Sequence, residues 1–379
     1  MDLRPGAGKM IRHLLLLNGL AVLAVVGQHA SGWGFTALFW WTGRYQPVTS
    51  SPDFGQLGSP SYYALRALEQ LTIFAPPAFL FVSGFFVAFA AGPQGLNLTW
   101  NKVASRIRTL LIPYLVWSLA IFAWRAIEGA TDSPARYLDR LIFGRAVEPY
   151  YYIPLIIQIY LVSPFIVRWV KASWKPVLLV AGLIQVVTLL ARYPVNLGWD
   201  FPAATWVVRH TPGWFFPQTA FWFVFGVFAG FHLPLFKQWL TRWERTLPWL
   251  TVVLGVLAFL EWELLLRLSG RAWLSPGPTV LDSLFSCAVI LTCLAFAHLN
   301  IPVRRHLDVM GERSFGVYLV HAPVIEVAAR GVYHAAPDML AYQFPFQILL
   351  LVVGLGVPML LMATVSRSPA RAYYNYLFG

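Results

Sequence analysis

Two histidines stand in stretches that otherwise read as lipid-soluble. His29 closes the apolar run "AVLAVVGQHA", residues 21 to 30, and His321 lies within "MGERSFGVYLVHAP", residues 310 to 323. A neutral imidazole held against a hydroxyl can take its proton, so either residue could act as a general base. Glu69, at the start of the next apolar stretch, offers a carboxylate that could orient an imidazole at the same depth. The bland alternative places both His29 and Glu69 in the wet headgroup zone, satisfying surface hydrogen bonds. Ser314, Tyr318 and His321 follow one another at spacings of four and three, which puts them on one face of a helix. A histidine near mid-bilayer requires a protein, water or ligand partner, and Gln158, Tyr160 and Gln218 are candidate structural partners.

A third constellation is basic. "NKVASRIRTLLIPYLVW", residues 101 to 117, carries Lys102, Arg106 and Arg108 at the mouth of an apolar stretch. Arginine presents planar, multiply directed donors that suit phosphate oxygens, whereas lysine is a point charge. The same residues also satisfy the positive-inside rule with no ligand. In "LFVSGFF", Ser83 and Gly84 allow close helix approach or a narrow passage. No Walker loop, dinucleotide fingerprint, zinc-hydrolase pattern or serine-hydrolase elbow occurs in a supporting context.

These residues need helices in a membrane to position them. Of 379 residues, 58% are apolar and 12% charged, which excludes an ordinary soluble enzyme. About ten spans are expected, over 12–32, 66–90, 108–127, 150–170, 175–192, 212–232, 247–268, 278–298, 313–332 and 345–365. Pro76, Pro77, Pro113, Pro154 and Pro164 are places where these helices could kink. The net charge of +12 is scattered between spans, so it fits topology better than nucleic-acid binding. An even count with the basic segments inside puts both termini in the cytoplasm and makes residues 33–65 the longest external loop. Cys287 and Cys293 lie in one apolar stretch and have neither metal-like spacing nor a disulfide framework. The expectation is an all-α polytopic membrane protein: a single domain over 1–379, with no separate soluble domain, no metal and no tightly bound cofactor.

In order and spacing, "LAVLAVVGQHA", "PPAFLFVSGFF", "SRIRTLLIPYLVW", "YYIPLIIQIYLVSPFI" and "GERSFGVYLVHAP" resemble successive segments of the membrane-bound acyltransferase 3 family. The resemblance covers nearly the whole chain. It implies a ten-helix membrane enzyme that moves an acyl group from a cytoplasmic thioester, acyl-CoA, to a hydroxyl on an envelope sugar, glycan or lipid. By the same resemblance His29 is the catalytic histidine, Arg106 and Arg108 belong to the basic donor region, and Ser314 and His321 support or line the substrate path. From position and residue type alone, Glu69 is a candidate to orient His29, Lys102 to add charge to the donor region, and Gln158 and Tyr318 to line the path. One departure stands out. The family often has an arginine eleven residues before the histidine and an aspartate three before that, where this chain has Asn18 and Leu15. Arg12 is the arginine available nearer the cytoplasmic end. A lipid or glycan transporter or flippase, or an accessory protein of polysaccharide synthesis, is the competing reading.

Overall fold

The computed structural model describes residues 7–92, 98–274, 277–299 and 301–379, and among them all regular structure is helical. The first half runs α1 (Ala7–Phe35), α2 (Pro60–Thr72), α3 (Ala75–Ala91), α4 (Trp100–Ile127), α5 (Pro134–Ile142), α6 (Tyr152–Ala172), α7 (Trp174–Leu190) and α8 (Arg192–Leu197). The second half runs α9 (Pro202–His210), α10 (Ala220–Phe231), α11 (Leu233–Trp243), α12 (Leu247–Leu268), α13 (Val280–Phe296), α14 (Arg304–Glu312), α15 (Ser314–Ala335), α16 (Gln343–Arg367) and α17 (Tyr374–Phe378).

Eight helical segments of the described residues are long and apolar enough to cross a membrane, making this a multi-pass membrane protein. A ninth appears if α10 and α11 count as one span, but they meet at His232 with a bend of 104°. The expected span over 212–232 is therefore a short helix that turns sharply where Pro234 follows, because proline cannot continue a hydrogen-bonded helix from the preceding turn. The expected span over 278–298 is α13, whose 17 residues extend about 25 Å at 1.5 Å per residue. Pro76 and Pro77 begin α3, where the missing amides cost nothing, while Pro113 and Pro164 lie inside α4 and α6.

Small residues set the closest approaches. α3 and α10 cross back to back at Gly84 and Gly226, each of which faces the other helix's backbone. Along α1, Gly27 faces Thr72 and Leu68 of α2, and Gly34 faces Leu65, so the two helices run antiparallel. Gly19 packs on the Leu307 backbone of α14, and Gly311 on that of Leu15. α1 is thereby enclosed by α2, α3, α14, α15 and α16, and its Asn18, Gln28 and His29 line hollows within the bundle.

Candidate functional site

Two hollows enter the bundle at different levels of α1. The first, a cavity of ≈ 360 Å³, is lined by His29, Gln28, Thr72, Gln218, Asp282 and Ser286, among others. The second, of ≈ 320 Å³, is lined by Leu15, Asn18, Ser83, Arg106, Tyr160 and Ser314, among others. Asn18 and His29 are eleven positions apart on one helix, about 16 Å along its axis. Phe79, Tyr152 and Tyr318 border both hollows. Their rings form a continuous contact, with centroids 6.3 Å apart for Phe79 and Tyr152 and 5.8 Å for Tyr152 and Tyr318. Tyr318 is fixed in that partition because its hydroxyl donates to the Pro149 carbonyl.

His29 faces His321, with ring centroids 5.2 Å apart. His321 is fully buried, and its Nδ1 lies 2.8 Å from the Tyr318 carbonyl and 3.1 Å from that of Val317. Carbonyls only accept, so this network assigns the proton to Nδ1. Nε2 then carries a lone pair, and it is buried without a hydrogen-bond partner among the described residues. An unpaired buried acceptor costs about 1–3 kcal/mol, which makes a donor turning toward it favourable. The ring beside it is that of His29.

Other expected site residues divide. Ser314 and Tyr318 line the arginine-bearing cavity, as the helical spacing indicated. Arg106 lines that cavity and also an adjoining hollow of ≈ 410 Å³ that holds Lys102, Ser105 and Thr109. Lys102 reaches the Ala90 carbonyl at 3.5 Å. Arg108 is exposed and borders none of these three hollows. Glu69 is buried and paired with Arg66, one turn earlier on α2, and Arg66 in turn lies over the Trp262 ring at 4.6 Å. The carboxylate thus serves the α2–α12 contact and makes no hydrogen bond to His29. Gln158 donates to the carbonyls of Pro154 at 3.0 Å and Trp214 at 2.8 Å, fastening α6 to the loop before α10. Arg12 is exposed at the start of α1 and borders none of these three hollows, while Asn18 lines the arginine-bearing one.

Asp282 lines the histidine cavity without a signal in the sequence: it is the N3 member of a capping box whose N-cap residue is Thr279, while its second oxygen accepts from Gln70 at 2.9 Å. Gln28 accepts from Thr72 at 2.7 Å, and Gln218 accepts from Arg192 at 2.9 Å. Gln28 adjoins His29 in the sequence and shares its cavity, whereas Gln218, a candidate partner for His321, is held by Arg192 instead. No group of three or more His, Cys, Asp or Glu side chains is placed to hold a metal ion among the described residues. The family described as "Acyltransferase domain" matches residues 14–363. No curated protein and no solved structure matches the chain.

Proposed function

Since the chain belongs to this acyltransferase family, we propose that it takes an acyl group from acyl-CoA on the cytoplasmic side and passes it to a hydroxyl of an envelope sugar, glycan or lipid. The supporting observation is the meeting of the two cavities at Phe79, Tyr152 and Tyr318, with Arg106 beyond one face and His29 beyond the other. Activated thioesters are made in the cytoplasm, so the Arg106 end faces that compartment and the His29 end faces the acceptor.

Arg106, with Lys102 at the adjoining hollow, holds donor phosphates through charge-assisted bonds. The thioester arm extends past Ser314 to the aromatic partition. There His29 removes the proton of the acceptor hydroxyl. The oxygen forms its bond to the thioester carbonyl carbon, the carbon–sulfur bond breaks, and the departing sulfur takes the proton from His29. Both reactants are held together, which removes most of the entropic barrier to their encounter. His321 is a positioning residue: with Nδ1–H bound to carbonyls, Nε2 accepts from one nitrogen of His29 and leaves the other as the base. The contact is looser here than a hydrogen bond, as is common before substrate binds.

The test uses the purified protein in nanodiscs, labelled acyl-CoA and cell-envelope extract. A product heavier by one acyl group is expected, and His29→Ala abolishes it while CoA binding persists. Full transfer by a folded His29→Ala variant would overturn this mechanism. Vectorial movement of a substrate of unchanged mass would establish transport instead.

A further inference from the structure

The histidine cavity has a second neighbour. Between α7 and α13 lies a groove of ≈ 320 Å³ whose walls include Leu178, Leu179, Leu183, Val186, Leu284 and Cys287. It is open to the hydrocarbon surroundings, since Leu179 and Leu183 are 63% and 54% exposed. From Leu178 to Val186 it follows about two helical turns, roughly 12 Å. Its floor is low because Gly182 stands where a side chain would otherwise project toward Phe221.

Gln185, Leu189, Trp222 and Ser283 border both this groove and the histidine cavity. At the junction Gln185 donates to the Ser283 hydroxyl at 3.3 Å, bridging the two helices. Gln185 is 6% exposed, and its Oε1 is buried with no partner among the described residues. An apolar groove therefore meets a polar cavity at an unused hydrogen-bond acceptor. A bulk lipid tail leaves that oxygen unpaired, whereas a hydroxyl-bearing head group at the end of a tail satisfies it.

We infer that the groove receives the hydrocarbon tail of a lipid-linked acceptor whose hydroxylated head occupies the histidine cavity, a conclusion that rests on the acyl-transfer reading above. The tail belongs to the acceptor rather than to the donor because the junction lies on the His29 side of the aromatic partition, away from Arg106. The acceptor then arrives sideways from the membrane, and head and tail never need to separate from their preferred solvents.

The probes are methyl and hexadecyl β-glucoside, the latter also with a diazirine in its chain. At Gly182 a new Cβ meets only Phe221 ring carbons at 3.6 and 3.8 Å, so Gly182→Leu fits the backbone while filling the groove. With labelled acyl-CoA in nanodiscs, Gly182→Leu is expected to raise KM for the hexadecyl glucoside at least tenfold and to leave methyl glucoside kinetics within twofold. Equal effects on both, or none on either, would overturn the inference. Photolysis of the diazirine probe supplies a readout independent of turnover. Crosslinks on peptides bearing Leu183 and Cys287, competed by unlabelled hexadecyl glucoside and at least fivefold weaker in Gly182→Leu, support the groove. Crosslinks spread around the bundle, or unchanged in the variant, refute it. If the parent acylates neither glucoside yet crosslinks as expected, acyl transfer to this head group fails while the groove stands.

Discussion

Replacing Gly84 by alanine tests the close crossing on which the partition is built. A Cβ at Gly84 would stand 2.9 Å from the Phe223 carbonyl carbon and 3.0 Å from the Val227 nitrogen; one at Gly226 would stand 2.8 Å from Phe81 and 2.9 Å from Phe85 backbone atoms. Ordinary contacts are 3.4–4 Å, and both obstacles are backbone that no rotamer can move aside. The helices must part by an amount on the order of 1 Å, and overpacking of this kind costs about 1–3 kcal/mol. A loss of 2 kcal/mol lowers the folded-to-unfolded ratio roughly 30-fold. Because Ser83 precedes Gly84 and Phe79 lies one turn further back on α3, the same displacement loosens the partition and slows transfer. Unfolding in mixed micelles, followed by tryptophan fluorescence, measures the cost. The two glycines share one gap, so Gly84→Ala and Gly226→Ala together should cost at least ~1 kcal/mol less than the sum of the single changes. Gly356 has open space around it and serves as the control, where alanine should be neutral or stabilising. A Gly84→Ala protein within ~0.5 kcal/mol of the parent, or an additive cycle, would refute this account of the crossing.

Arg106→Gln should weaken CoA binding by about 1.5–3 kcal/mol, the usual worth of a charged hydrogen bond, while Arg108→Gln should change it little; calorimetric titration distinguishes them. Glu69→Gln leaves the buried Arg66 without its counter-charge and should cost roughly 3–5 kcal/mol of stability, with turnover per folded molecule preserved. Replacing Arg66 and Glu69 together by Met and Leu should restore melting, which a catalytic role for Glu69 would not allow to coincide with full activity. For His321, Asn retains a donor to the Tyr318 carbonyl but lacks an acceptor at the Nε2 position, whereas Gln can supply one. His321→Asn should therefore lower kcat by about 10²-fold or more with an unchanged KM for acyl-CoA, and His321→Gln should recover part of it; equal losses in both variants would indicate a packing role.

Hydropathy made most of the spans legible because a run of about 20 apolar residues admits few alternatives to a membrane helix. Over 212–232 it found the end, where the chain bends at His232, but not the start, because the stretch holding Pro212 and Pro217 turns before the helix begins at Ala220. The face shared by Ser314, Tyr318 and His321 was readable because helical periodicity acts over a few residues. The approach of His29 to His321 was not, since it joins the first helix to one near the end of the chain, and only packing brings them together. Glu69 shows the reverse difficulty. Its depth relative to His29 follows from the antiparallel pairing of α1 and α2, yet Arg66, three residues away on the same helix, reaches it first. Gln185 could not be distinguished from a structural glutamine, because its distinguishing feature is an oxygen left without a partner.

The rings of Phe79, Tyr152 and Tyr318 also have an electrical meaning. Where two polar hollows approach from opposite ends of a low-dielectric bundle, the field concentrates across the layer left between them. In the proposed reaction a proton crosses that layer inward while the acyl group crosses outward as an acylium equivalent, because each bonding pair stays on its own oxygen or sulfur. The two movements cancel, and neutral reactants on each side give neutral products. An uncompensated charge would couple to the membrane potential at ~2.3 kcal/mol per 100 mV; this exchange carries none. Transfer in sealed vesicles should therefore keep its rate when an ionophore collapses the voltage, and a rate that followed the voltage would refute the exchange.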